Sequence, residues 1–71
     1  MLAMILPLDM IPRRKLTFRA LRGLRTLRRM MRLAEFVELL GHMPKRTILH
    51  ALEDRPLTPA TCTWLETIAL P

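Results

Sequence analysis

The stretch between Pro12 and Pro44 contains no proline, so nothing in it breaks a helix except Gly23 and Gly41. In its first half, apolar residues recur every three or four positions and arginines occupy positions between them. The sequence therefore predicts an amphipathic basic helix that starts at Phe18 after a capping Thr17. Whether this helix runs on into residues 33 to 40 or bends near residue 31 or 32 stays open. The predicted inward residues are Leu16, Ala20, Leu24, Leu27, Met30, Met31 and Ala34, and the arginines opposite them are Arg22, Arg25, Arg28, Arg29 and Arg32.

The length of the chain, 71 residues, allows one domain with a modest core. Only Phe18, Phe36 and Trp64 are aromatic, so the core has to come mainly from Leu, Met, Ile and Ala, which suit helices better than sheets. The sequence therefore predicts an all-α fold, a small bundle of four to five helices. The lone cysteine, Cys62, cannot form a disulfide within the chain and indicates a reducing compartment.

Two shorter helices are predicted on either side of Gly41. The first covers residues 33 to 40 and ends at Gly41, because glycine often follows the last turn of a helix. The second covers residues 45 to 54, and Pro44 suits its first position. The expected inward residues are Leu33, Phe36, Val37 and Leu40 in the first helix, with Glu35 and Glu38 outward, and Ile48, Leu49 and Leu52 in the second, with Arg46, Thr47, His50 and Glu53 outward.

A last helix is predicted over residues 60 to 70. Thr58 is a suitable N-cap residue, and the proline that follows it suits the first helical position. The residues expected in the core are Cys62, Leu65, Ile68 and Ala69, with Trp64 at the margin.

The chain divides into an apolar N-terminal arm, residues 1 to 12, and a basic helical domain, residues 13 to 71. Pro7 and Pro12 disfavour helix in the arm. The arm is either a poorly ordered terminus or a dimerising segment. Its apolar run is too short to span a bilayer, and no basic residue precedes it as in a signal peptide, so a cytoplasmic protein is expected.

Positive charge is concentrated in one segment of the chain. Nine of the 12 basic residues lie between residues 13 and 32, where there is no acid, and the rest of the chain carries 3 basic and 6 acidic residues. Such a localised stripe favours a polyanionic partner, either nucleic acid or an anionic membrane surface. The nine residues are Arg13, Arg14, Lys15, Arg19, Arg22, Arg25, Arg28, Arg29 and Arg32.

A helix, a turn at glycine and a second short helix form the arrangement that places a recognition helix in the major groove of DNA. Residues 33 to 54 supply these parts, with residues 40 to 44 as the joint. Over residues 33 to 70, LAEFVELLGHMPKRTILHALEDRPLTPATCTWLETIAL, the sequence resembles the helix-turn-helix repressors of the broad Cro-like group, including small phage-encoded autoregulators. It departs from the family pattern at His42, where an apolar residue is usual, and at Val37, where a small residue is usual.

This resemblance implies roles for individual side chains. The recognition helix would present its polar residues to base edges, where arginine and lysine donate to guanine and threonine or histidine serve as smaller contacts. The arginines of the first helix and two residues after the recognition helix would contact phosphates, which supply affinity without sequence preference. The implied base-reading residues are Lys45, Arg46, Thr47 and His50, and the implied phosphate-binding residues are Arg22, Arg25, Arg29, Arg32, Arg55 and Thr58.

The function implied by the resemblance is sequence-specific binding of double-stranded DNA by a transcriptional regulator, a repressor or autoregulator, acting as a homodimer. The arm and the face around Trp64 and Leu70 are the expected dimer surfaces. No cofactor, metal or small-molecule substrate is expected. Two alternatives stay open: a phage- or plasmid-type inhibitor that binds a host protein, and an amphipathic basic protein on a membrane surface.

Enzymatic activity is not expected from this sequence. The only candidate nucleophile, Cys62, is predicted to face the core of the last helix. His42 and His50 lie eight residues apart, one in a turn and one on a helix, and no acid is placed to orient either of them.

Overall fold

The computed structural model describes residues 12 to 70, and this part of the chain contains four α-helices and no strand. The helices are α1 (Phe18–Met30), α2 (Leu33–Leu39), α3 (Lys45–Leu52) and α4 (Pro59–Ala69). The prediction of a small all-helical domain is confirmed. The predicted arm lies outside the described residues except for Pro12.

Helix α1 starts where the sequence predicts, because the Thr17 side chain accepts a hydrogen bond from the Ala20 backbone N–H at 3.3 Å. It ends at Met30, and residues 31 and 32 are extended. Arg28 Nη1 donates to the Met31 carbonyl at 3.3 Å, which satisfies a carbonyl at the break. The long amphipathic stretch is therefore two helices, α1 and α2, separated by two extended residues.

The core forms around α1, which packs against each of the other three helices. Leu21 and Ala51, which the pattern did not place inward, are buried, and the Phe36 and Leu40 predictions are confirmed. The buried residues are Leu16, Ala20, Leu21, Leu24, Phe36, Leu40, Ile48, Ala51, Leu57, Cys62, Leu65 and Ala69.

Several apolar residues predicted inward are exposed instead. Met30, the last residue of α1, is 77% exposed. Ala34 is exposed because the break at residues 31 and 32 separates it from the helical wheel of α1. In α3 the buried side centres on Ile48 and Ala51, which turns Leu49 outward. The inward predictions for Met30, Ala34, Leu33 and Leu49 are therefore wrong, and Leu33 and Leu49 are 47% and 56% exposed.

The joint between α2 and α3 depends on left-handed backbone conformations. Gly41 has φ +73°, as expected for the glycine after a helix, and His42 also has a positive φ of 59°. The Gly41 N–H donates to the Glu38 carbonyl and the His42 N–H to the Val37 carbonyl, both at 3.0 Å, which closes the end of α2. Trp64 Nε1 donates to the Leu40 carbonyl at 3.3 Å, so α4 also holds this joint.

Helix α3 ends in the same way, two residues earlier than predicted. Asp54 has φ +60°, its N–H donates to the Ala51 carbonyl at 3.2 Å, and the Arg55 N–H donates to the His50 carbonyl at 2.9 Å. At the other end, Pro44 precedes the first helical residue and does not occupy it.

Helix α4 begins as the sequence predicts, with Thr58 as the N-cap and Pro59 at the first position. The Cys62 side chain is fully buried and its thiol donates to the Arg14 carbonyl at 3.2 Å. Burial raises the pKa of this thiol. Trp64 is 48% exposed, which confirms its place at the margin of the core.

The segment before α1 is fastened to α4 and to the loop that precedes α4. Arg14 and Leu57 exchange two backbone hydrogen bonds of 2.8 and 2.9 Å, and Arg14 forms a two-pronged ion pair with Glu66 at 2.8 Å for both contacts. Glu66 also accepts from the Thr17 N–H at 3.2 Å. The hydrogen bonds from Arg14 are the main reason that the pKa of Glu66 lies below its ordinary value, and partial desolvation opposes them.

This ion pair makes the stability of the fold dependent on pH. The pKa of Glu66 is lower in the folded than in the unfolded chain. The ion pair therefore makes its full contribution to the free energy of unfolding above the unfolded pKa, and this contribution is lost as the pH falls through the folded pKa. We expect Glu66→Gln to lower the melting temperature at pH 7 and to differ much less from the wild type in acid. Circular dichroism melts at both pH values measure this, with Glu38→Gln on the exposed side of α2 as the charge control. An unchanged gap between wild type and Glu66→Gln in acid would contradict it.

Candidate nucleic-acid interface

Helix α1 presents a row of arginines on the side away from the core. Arg22, Arg25 and Arg29 are spaced three and four residues apart, so they lie on one face of the helix. Together with Arg28 they line an open depression of about 440 Å³ that reaches Leu52 at the end of α3. We call this surface, formed by these four arginines, the arginine depression.

The arginine depression carries an uncompensated positive charge. Within residues 12 to 70 the ion pairs join Arg14 to Glu66, Lys15 to Asp54 and Arg55 to Glu53, and none involves an arginine of α1. Four cations on one surface, none of them in an ion pair, attract a polyanion.

Arg25 has a second task within the fold. Its Nε and Nη2 atoms donate to the Leu52 carbonyl oxygen at 2.9 and 2.7 Å. Leu52 is the last residue of α3, where carbonyl oxygens lack partners within the helix and carry partial negative charge. Arg25 therefore fastens the end of α3 to α1, a contact between residues 27 apart that no local sequence pattern announces.

Arg22 and Arg28 differ in their neighbours. The Arg22 guanidinium lies over the ring of Phe18, 5.7 Å from its centre, a cation–π contact on an exposed aromatic residue. Arg28, which belongs to the arginine face of the sequence pattern but was not among the implied phosphate contacts, lines the depression and is half-buried. Because Arg28 lies three residues after Arg25, helical spacing could have added it to the implied phosphate-binding residues.

The other implied phosphate contacts lie apart from this row. Arg32 sits in the break between α1 and α2 and is exposed. Arg55 follows α3, with Nη1 at 3.7 Å from Glu53 Oε1. The Thr58 hydroxyl lies 2.8 Å from the Thr61 hydroxyl and caps α4, so its hydrogen-bonding capacity is partly used. Of the six implied residues, the structure brings together Arg22, Arg25 and Arg29.

The four implied base readers all lie on α3, but they point in different directions. Arg46 and His50 are four residues apart and share a face; Arg46 is exposed and His50 half-buried. Thr47 is half-buried and lies in line with the buried Ala51. Lys45 is exposed on the side where Leu49 lies. Arg46 and His50 are therefore the two that share a face, whereas Lys45 and Arg46 are the two that are exposed.

An apolar groove runs beside Lys45, between α2, α3 and the end of α1. It has a volume of about 260 Å³, and sequence reasoning missed it because Leu33 and Leu49 were placed in the core. We call it the α2–α3 groove; its lining residues are Leu33, Val37, Ile48, Leu49 and Leu52, together with the cations Arg28 and Lys45.

Comparison of the chain with protein-family models, with curated proteins and with solved structures gave no match. No helix in the described part of the chain combines the length and the apolar character needed to cross a membrane.

Proposed function

We propose that this protein is a sequence-specific regulator of transcription, a repressor or autoregulator, that binds double-stranded DNA through a helix-turn-helix formed by α2 and α3. The observation that carries the proposal is the arginine depression, four cations without acidic partners placed next to the end of α3. A short helix, a joint with a left-handed glycine and a second short helix fit this motif. The net charge of +6 supports a polyanionic partner.

In this proposal the arginine depression and helix α3 have separate roles in binding DNA. Arg22, Arg28 and Arg29 contact phosphates and supply salt-dependent affinity. Arg46 and His50, which share one face of α3, contact base edges, with arginine donating to guanine. Arg25 is a positioning residue, because its guanidinium fixes the end of α3 relative to α1.

A homodimer would extend the recognised sequence. One helix of eight residues reaches few base pairs, and two copies related by a two-fold axis would read half-sites about 34 Å apart along the duplex. Trp64, which is 48% exposed on α4, and Leu70, which follows the end of α4, belong to the surface that we propose for this contact. A protein with this function would act in the cytoplasm.

A second candidate function is binding of α1 to an anionic membrane surface. Phe18 is 70% exposed at the start of the helix and Met30 is 77% exposed at its end, with the arginine row between them. Exposed apolar residues beside cations are typical of helices that lie in a lipid interface. The exposed ring of Phe18 next to Arg22 is the specific observation in its favour.

The experiment that tests the proposal is selection from a randomised duplex pool followed by fluorescence anisotropy at several salt concentrations, with anionic vesicles as a parallel titrant. We expect enrichment of a palindromic duplex. In the variant Arg22→Gln/Arg29→Gln, the slope of log affinity against log salt should fall by about 2, because each phosphate contact contributes about 0.9. Arg19→Gln is the matched control, since Arg19 is exposed on α1 but does not line the arginine depression.

Arg46→Ala should behave differently from the phosphate variants. We expect it to relax the preference at one base pair by about 1–3 kcal/mol and to leave the salt slope nearly unchanged. Equal losses on all sequences would remove Arg46 from the base-reading role. Binding to vesicles without binding to any duplex would favour the membrane function instead.

A further inference from the structure

The α2–α3 groove is an apolar depression with a charged border. Leu33 and Leu49 are about half exposed within it, while Ile48 is buried at its base. The two ionisable residues that line it, Arg28 and Lys45, are both cations. The acids of α2, Glu35 and Glu38, are not among its lining residues.

This combination of shape and charge fits one class of occupant. A groove between helices accepts the apolar side of an amphipathic helix, whose anchors recur every three or four residues. Cations at the border favour carboxylates beside those anchors and disfavour a basic partner. A second copy of this chain would bring a net charge of +6 to a border that is already positive, so self-association through the groove is electrostatically opposed.

We propose that the α2–α3 groove binds an amphipathic helix of an acidic partner protein, with aliphatic anchors on Leu33, Val37 and Leu49 and carboxylates facing Arg28 and Lys45. A bound helix would cover one side of α3, the helix that we propose to contact DNA, because four residues of α3 line the groove: Lys45, Ile48, Leu49 and Leu52. The inference goes beyond the DNA-binding proposal and does not depend on it.

The test uses the full chain and a synthetic, fluorescein-labelled helical peptide that carries leucines at positions i, i+3 and i+7 with glutamates beside them. Two comparison peptides have the same residues in scrambled order, or lysines in place of the glutamates. We expect saturable binding of the designed peptide in the micromolar range and much weaker binding of both comparison peptides. No DNA is present, so the outcome is separate from that of the DNA-binding test.

Variants of the protein locate the binding surface. Leu33→Ser/Leu49→Ser should weaken peptide binding about tenfold or more, since two apolar contacts are lost. Leu39→Ser is the matched control, because Leu39 is 40% exposed on α2 but does not line the groove. Lys45→Gln should weaken binding about two- to fivefold, the range of one exposed ion pair, whereas Arg46→Gln should leave it unchanged.

Four results would overturn the proposal. The first is equal binding of the designed and scrambled peptides, or no binding of either. The second is an equal effect of Leu33→Ser/Leu49→Ser and Leu39→Ser. The third is a dimer, seen by sedimentation, that Leu33→Ser/Leu49→Ser dissociates, which would assign the groove to a second copy. The fourth is nuclear Overhauser contacts between the groove and residues 1 to 11, which would assign it to the start of the same chain.

Discussion

Replacing Phe36 with alanine is expected to remove about half of the free energy of unfolding at 25 °C. Phe36 is fully buried and is among the largest side chains of the core. Removing a buried phenylalanine side chain costs about 3–5 kcal/mol, because the apolar burial is lost and the cavity is only partly refilled. A chain of 71 residues is stabilised by only about 4–10 kcal/mol in total, so this one change takes much of the available stability.

Phe18→Ala provides the matched control for this prediction. Phe18 is 70% exposed, so the same substitution removes little buried surface and should cost less than about 1 kcal/mol. Urea unfolding followed by circular dichroism and by Trp64 fluorescence gives both midpoints. Equal midpoints for the two variants would contradict the placement of Phe36 in the core.

Gly23→Ala is expected to destabilise the fold by about 2 kcal/mol, although alanine is the better helix former. In the middle of a helix this change ordinarily stabilises by about 0.5–1 kcal/mol. Here a Cβ atom at position 23 would lie 2.7 Å from the Ala69 carbonyl oxygen, a backbone atom that cannot rotate away. Helix α4 would have to move away from α1, so we expect the melting temperature to fall by about 10 °C.

Two further variants identify the cause of the Gly23→Ala effect. Thr26 lies on the exposed side of α1, so only helix propensity should act there. Thr26→Ala should therefore leave the melting temperature unchanged or raise it slightly. Ala69→Gly removes a Cβ that lies 3.5 Å away but leaves the carbonyl in place, so combining it with Gly23→Ala should not restore stability. A rise in melting temperature with Gly23→Ala alone would refute the close approach of α1 and α4.

The starts of the helices were the features most open to prediction from the sequence. Thr17 and the pair Thr58 and Pro59 act through atoms a few residues away, so their effects can be recognised locally. The same holds for Gly41, where the turn requires a positive φ. Helical spacing alone predicts the arginine row of α1. Three of the implied phosphate-binding residues, Arg22, Arg25 and Arg29, therefore line the same depression in the structure.

The features that could not be predicted depend on contacts between distant parts of the chain. Leu33 and Leu49 have the spacing of core residues, and only the packing of α2 and α3 on α1 leaves them exposed. The hydrogen bond from Arg25 to the Leu52 carbonyl joins two helices, and no local sequence pattern in either helix predicts it. The break at residues 31 and 32 contains neither proline nor glycine, and the amphipathic pattern continues through it.

The buried thiol of Cys62 makes the fold observable without any substitution. The Cys62 sulfur lies between α4 and the segment that carries Arg14. A disulfide reagent can therefore reach it only when the contact between α4 and this segment opens. The ratio of its labelling rate to that of an unprotected thiol therefore reports the free energy of local opening. Because the chain has a single cysteine, labelling in dilute denaturant would distinguish local opening of the contact between α4 and the Arg14 segment from global unfolding.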